Sequence, residues 1–197
     1  MFAALLAGCG THETAPVDGQ TSAPAVRRNA DQLSPEETVK KLVSAYLNKR
    51  LGEYYDLVAT VDKRAKSLDS LQSEFAPSSS DLVTDYLFQY TRFKIDSSSV
   101  DGDTALVYVT ALSPNLRSVV KEATVVERSL GQDSDMATKM SLLHERLRIS
   151  GGPSAENHST YFLVREPQGW RAVIGWADQK AFEEQMRSAD STHSGGT

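Results

Sequence analysis

The chain has 197 residues, 40% of them hydrophobic and 24% charged, a composition that fits one ordinary globular domain with polar extensions. The formal charge is -5, and the basic residues are scattered as Lys40-Lys41, Lys49-Arg50, Lys63-Arg64 and Arg92/Lys94, so no concentrated positive footprint for nucleic acid exists. The single cysteine, Cys9, excludes an internal disulfide framework, and a domain of this size needs none to bury a core.

The first residues, MFAALLAGCG, are apolar but far shorter than the roughly 20 residues a membrane span requires, and no later segment comes close. They resemble the end of a secretory signal, in which an apolar run closes on small residues. Leu6-Ala7-Gly8-Cys9 resembles the lipobox of bacterial lipoproteins, and the resemblance implies that residues 1–8 are a signal remnant, that Cys9 carries the lipid, and that the new amino terminus is acylated. No positively charged stretch precedes the apolar run, so the true start is expected upstream of Met1. A catalytic role for Cys9 is disfavoured because no helix terminus or neighbouring base would lower its pKa. The plain alternative is an apolar terminus with an incidental cysteine.

From Gly10 to Leu33 the chain is small and polar and has no aromatic residue, so it cannot repay its ordering entropy. Residues 9–33 are therefore expected to be a lipidated cysteine and flexible tether, with an r.m.s. span of about 27 Å. Such an anchor implies a cell-envelope location, with the domain held near a membrane through Cys9. Residues 187–197 are expected to be a disordered tail, which leaves 34–186 as a single folded domain.

That domain opens at SPEETVKKLVSAYLNKRLG. Ser34, Pro35 and Glu37 form a capping-box start, Val39, Leu42, Val43, Tyr46 and Leu47 repeat at helical spacing, and Gly52 is the expected C′ residue. EYYDLVATVD predicts a second helix, DKRAKSLDSLQSEF continues as helix or loop, and Pro77 with Ser78-Ser79-Ser80 breaks the chain before a short helix in DLVTDYLF.

From Arg92 the period becomes two, and Asp101-Gly102-Asp103 marks a hairpin into TALVYVTAL. A three-residue loop would set Phe93 and Ile95 on the face of Val107, Val109 and Ala111, whereas a two-residue loop would match them to Leu106, Tyr108 and Thr110; burial favours the first. STYFLVR and WRAVIGW form a second hairpin around Glu166-Pro167-Gln168-Gly169, and pairing Arg165 with Trp170 sets Tyr161, Leu163, Ala172, Ile174 and Trp176 on one face. Phe162, Val164 and Val173 take the other face, so both faces are apolar and both are expected to be covered. Between the hairpins, Leu116, Val119, Val120, Ala123, Val126 and Leu130, then Met136, Met140, Leu143 and Leu147, predict two amphipathic helices joined near Gly131 and stopped at Gly151-Gly152-Pro153. The fold class is α+β: a curved antiparallel sheet packed by N-terminal helices, with a helical insertion between two hairpins.

SPEETVKKLVSAYLNKRLGEYYDLV is similar to the opening helix pair of nuclear-transport-factor-2-like domains, especially those of bacterial lipoproteins, and the two hairpins are similar to the strands of the same group. The resemblance spans residues 34–176 and implies a cone of helices on a curved sheet, often enclosing a pocket. It implies no activity, because such a fold hosts enzymes and binding modules alike.

No motif fixes a chemistry. His144-Glu145 begins like a zinc-protease HExxH but meets Arg148 where the second ligand should stand, and DSSSVDGD lacks the spacing of a calcium loop. His144 reads as a helix-surface residue and His158 as a loop residue before a strand; His12 and His193 fall in the tails. No metal or cofactor is expected. Two functions remain: a tethered binding or assembly module for an envelope protein or a small apolar ligand, with Tyr46, Tyr108, Tyr161, Trp170 and Trp176 as pocket or interface residues, or an enzyme of ketosteroid-isomerase type. The second would use Asp56 beside Tyr55 or Asp85 beside Tyr86.

Overall fold

The computed structural model describes residues 32–75, 81–131, 133–150 and 154–181. The expected signal remnant, Cys9, all of the tether but its last two residues, the breaks at 77–80 and 151–153, and the C-terminal tail lie outside the described residues.

Helix α1, Pro35–Leu47, starts as the sequence predicts: Ser34 Oγ accepts the Glu37 N–H at 3.2 Å, and Glu37 Oε2 accepts the Ser34 N–H at 2.8 Å. It buries Thr38, Val39, Leu42 and Ala45. Its end corrects the expectation for Gly52. The Arg50 N–H reaches Ala45 O at 2.8 Å and the Lys49 N–H reaches Tyr46 O at 3.0 Å, the two bonds of a Schellman cap, with Lys49 in the left-handed region at φ 56°. Gly52 falls inside α2, Leu51–Asp56, because the cap closes three residues earlier.

The predicted second helix is divided. Residues 57–59 fall between α2 and α3, Thr60–Ala65, where Val58 and Ala59 lie along the sheet edge, and α4, Leu68–Phe75, follows. Asp81 caps α5, Leu82–Tyr90, by accepting the Val83 N–H at 3.1 Å.

Strands β1, Arg92–Asp101; β2, Thr104–Pro114; β3, Ser154–Glu166; and β4, Gly169–Val173 form one antiparallel sheet in sequential order. The free edge of β4 is closed by segment 57–59: Ala59 N–H donates to Ala172 O at 2.8 Å, and Ala172 N–H donates to Leu57 O at 2.9 Å. The first hairpin has a two-residue loop, Gly102-Asp103, with Asp101 opposite Thr104 and a positive φ at Gly102 alone, as a type II′ turn requires. The anticipated facing nevertheless holds. A bulge between Ile95 and Ser97 inserts Asp96 and shifts the register by one, so Phe93 pairs with Ala111 and Ile95 with Val109.

The second hairpin pairs Arg165 with Trp170 as expected, but β4 stops at Val173 and Gly175, at φ 86°, turns the chain into a helical stretch over 176–181. Ile174 and Trp176 therefore lie beyond the sheet. Between β2 and β3, α6, Leu116–Leu130, and α7, Met136–Ser150, form the helical insertion, and Gly131 ends α6 at φ 73°. Glu122 accepts Arg146 Nε at 2.8 Å across this pair.

Among the described residues, three clusters make the core. One lies between α1 and the sheet, around Val39, Val107, Val109, Leu163 and Trp170. A second joins α1, α2 and α4 to the sheet edge, around Leu42, Ala45, Tyr54, Val58, Leu71 and Ala172. The third belongs to α5, α6 and α7, which pack on one another through Leu82, Tyr86, Val119, Ala123, Val126, Leu143 and Leu147. Because the insertion closes a core of its own, no described helix covers the second face of the sheet, contrary to the expectation: Tyr108 and Phe162 there are each 40% exposed. Leu116 and Val120, assigned to the apolar face of α6, are also exposed.

Candidate functional site

Three of the five aromatic residues singled out in the sequence come together. The Tyr46 ring lies 5.5 Å from Tyr54, 5.7 Å from Phe75 and 5.3 Å from Phe88, and Trp176 lies 6.4 Å from Tyr54 and 6.3 Å from Tyr55. Tyr161 packs where this group meets the sheet core. Burial pushes the Tyr46, Tyr54 and Tyr161 hydroxyls up from the usual phenol range, with neighbouring Tyr46 adding to the effect on the other two, so all three are neutral near pH 7. The other two stand apart. Trp170 is buried in the sheet core with the Arg165 guanidinium 4.6 Å from its ring centroid, and Tyr108 lies on the open face. Cys9 lies outside the described residues.

The residue pairs suggested for proton abstraction do not converge. The Tyr55 hydroxyl donates to Lys66 O at 2.9 Å, while Asp56 is exposed. The Tyr86 hydroxyl meets His144 Nδ1 at 3.1 Å, away from Asp85, and Tyr90 stacks on His144 at 4.8 Å. Asp62 is fully buried, but it accepts the backbone N–H groups of Ile174, Gly175 and Ala177, which commits its carboxylate to holding the turn after β4.

Phe88 links the aromatic group to an open cleft of about 630 Å³ at the junction of α1, α5, β1 and α7. This lies within the range of about 300–1,000 Å³ of small-molecule sites. Its apolar wall is Leu47, Phe88, Phe93, Met136 and Met140. Its polar rim includes Ser44, Asn48, Lys49, Asp85 and Arg92. The Schellman cap of α1 is what points the chain so that Lys49 pairs with Asp85 of α5. Non-glycine residues in the left-handed region are uncommon and gather at functional positions. Arg92 opens β1 one residue past the Thr91 cap of α5 and is pinned through one nitrogen, Nη1, to Gln89 O at 2.9 Å and Thr91 O at 3.1 Å.

Sequence reasoning missed this cleft. Its wall residues were legible only as core positions, Lys49 and Arg92 looked like ordinary surface charges, and Asp85 was singled out only as a partner for Tyr86.

On the open sheet face, the bulge brings Asp96 to β2 and β3. The Thr110 hydroxyl donates to Asp96 Oδ2 at 2.5 Å and lies 3.0 Å from His158 Nδ1, which then carries the proton donated to Thr110 Oγ1. His158 thus sits on a strand, not in the expected loop. Among the described residues, no group of three or more histidine, cysteine or acidic side chains could hold a metal ion, and no helix is long and apolar enough to cross a membrane.

No family model and no curated protein matches the chain. Similar solved structures include a candidate calcium/calmodulin-dependent protein kinase type II association domain from Thiobacillus denitrificans, at 12% identity and TM-score 0.37, covering 71% of this chain and 90% of that one. A candidate dehydratase of the NTF2-like family from Streptomyces avermitilis aligns at 16% identity and TM-score 0.35, covering 68% of this chain and 86% of the other. A candidate lipoprotein from Bacillus subtilis aligns at 15% identity and TM-score 0.32, covering 75% of this chain and 56% of its own.

Proposed function

We propose that this protein is a cell-envelope lipoprotein of nuclear-transport-factor-2-like type, held to a membrane by lipid on Cys9, whose folded domain binds a ligand or partner. The observation that carries the binding reading is the cleft between α1, α5, β1 and α7, with its apolar wall and charged rim. The proton-abstraction reading is weaker, because the tyrosines beside Asp56 and Asp85 spend their hydroxyls on Lys66 O and His144. Leu6-Ala7-Gly8-Cys9, followed by a small polar stretch, supports the anchor. An acylated cysteine followed by a flexible segment would let the domain sample the volume beside the bilayer.

The anchor is tested by expressing the chain with its full upstream signal and following detergent-phase partitioning. Parent protein enters the detergent phase and Cys9→Ser stays in the aqueous phase. Equal partitioning of the two overturns lipidation.

A further inference from the structure

We propose that the cleft binds an apolar molecule bearing one anionic head, a long-chain carboxylate presented as a monomer, with Arg92 receiving the head. The proposal rests on reading the cleft as the binding site and adds the chemistry of its ligand.

Charge decides the head group. Among the described residues, three ionic side chains line the cleft: Lys49 and Asp85, which neutralise each other, and Arg92. Arg92 makes no ion pair among the described residues. Its Nη1 is held by two main-chain carbonyls at the end of α5, so the guanidinium plane is fixed before any ligand arrives. Nε and Nη2 make no hydrogen bond among the described residues, and this edge of a guanidinium matches a carboxylate with two parallel N–H···O bonds.

Shape and texture decide the body. Leu47 of α1, Phe88 of α5, Phe93 of β1, and Met136 and Met140 one turn apart on α7 supply an apolar wall contributed by four separate elements. Unbranched methionines adapt to a flexible chain, and surfaces built on them accept ligands of varied shape. Two of the five wall residues come from the helical insertion, so the ligand would also fasten α7 to the sheet domain.

The test is calorimetric titration of the full chain with monomeric sodium oleate and, in parallel, with methyl oleate, using parent, Arg92→Gln, Met140→Trp and Met140→Leu proteins, with circular dichroism to establish folding. Expected is 1:1 binding of oleate that is at least tenfold tighter than of the ester. Arg92→Gln should weaken oleate about tenfold and leave the ester unchanged, as loss of a charge-assisted pair requires. Met140→Trp should abolish both, and Met140→Leu should keep both. Equal affinity for oleate and ester overturns the anionic head while leaving the cleft as a binding site. Oleate binding that survives in folded Met140→Trp, or no binding of either probe to parent protein, overturns the cleft itself. A lipid surface as the source of the same chemistry is separated by co-sedimentation with phosphatidylglycerol vesicles. Arg92-dependent sedimentation without oleate binding overturns the monomeric ligand.

Discussion

Asp62 Oδ2 accepts the Ile174 N–H at 2.6 Å, joining helix α3 to the residue at which β4 ends. The same carboxylate receives Ala177 N–H at 3.0 Å through Oδ1 and Gly175 N–H at 3.3 Å through Oδ2. Main-chain donors that would otherwise be orphaned at the start of the 176–181 helical stretch are met by a charge that is itself fully buried.

Replacing Asp62 with asparagine turns one acceptor oxygen into a donor facing another donor. Hydrogen bonds to charged groups contribute about 1.5–3 kcal/mol, and a buried donor left unmet costs a similar amount, so Asp62→Asn should lose about 3 kcal/mol in urea unfolding. Loss of near-ultraviolet signal from Trp176 should accompany it, because Trp176 packs on Tyr54 and Tyr55 just past the turn. A loss under about 1 kcal/mol would mean the turn holds without the carboxylate.

The backbone at Lys49 gives a second prediction. A side-chain-bearing residue in the left-handed region costs about 1 kcal/mol that glycine avoids, and the partly exposed pair with Asp85 returns no more than about 1 kcal/mol. Lys49→Ala keeps the strain and loses the pair; Lys49→Gly loses both. Lys49→Gly should therefore be more stable than Lys49→Ala by about 1 kcal/mol, read from denaturant midpoints at constant slope. Equal stability of the two variants would show that the cap is unstrained.

The two faces of the sheet give a third. Leu163 is fully buried against the helices, whereas Leu112 on the opposite face is 47% exposed. Leu163→Ala should cost about 3 kcal/mol and Leu112→Ala less than about 1 kcal/mol. Comparable losses would mean that the second face is covered after all.

What the sequence made legible was local. The capping box at Ser34 and Glu37, the left-handed stop at Gly131 and the pairing of Arg165 with Trp170 each depend on residues within a few positions of one another. The division between α2 and α3 was hidden because segment 57–59 is held by the edge of β4, over a hundred residues away. The hairpin facing was inferred correctly from burial through the wrong device: Asp96, inserted mid-strand, supplied the register shift that had been assigned to the loop. The cleft was illegible for the same reason, since Leu47, Phe88, Phe93 and Met140 meet only in the folded chain.

Asp96 also provides a pH test. Its carboxyl is held below the usual range, first by the Thr110 hydroxyl and then by Lys94. A carboxylate whose pKa is lower folded than unfolded stabilises the protein above its unfolded pKa of about 4, and this contribution fades as pH falls through the folded value. Thr110→Val keeps the shape of a buried side chain and removes the largest cause. Relative to parent protein, it should be destabilised at pH 6, with the gap narrowing toward pH 2.5. The same substitution frees His158 Nδ1 from the hydroxyl that fixes its proton, so nitrogen NMR should show the Nδ1–H form dominant in parent protein and depleted in the variant. An acid profile parallel to that of parent protein, with the imidazole tautomer unmoved, would show that the Asp96, Thr110 and His158 chain does not form in solution.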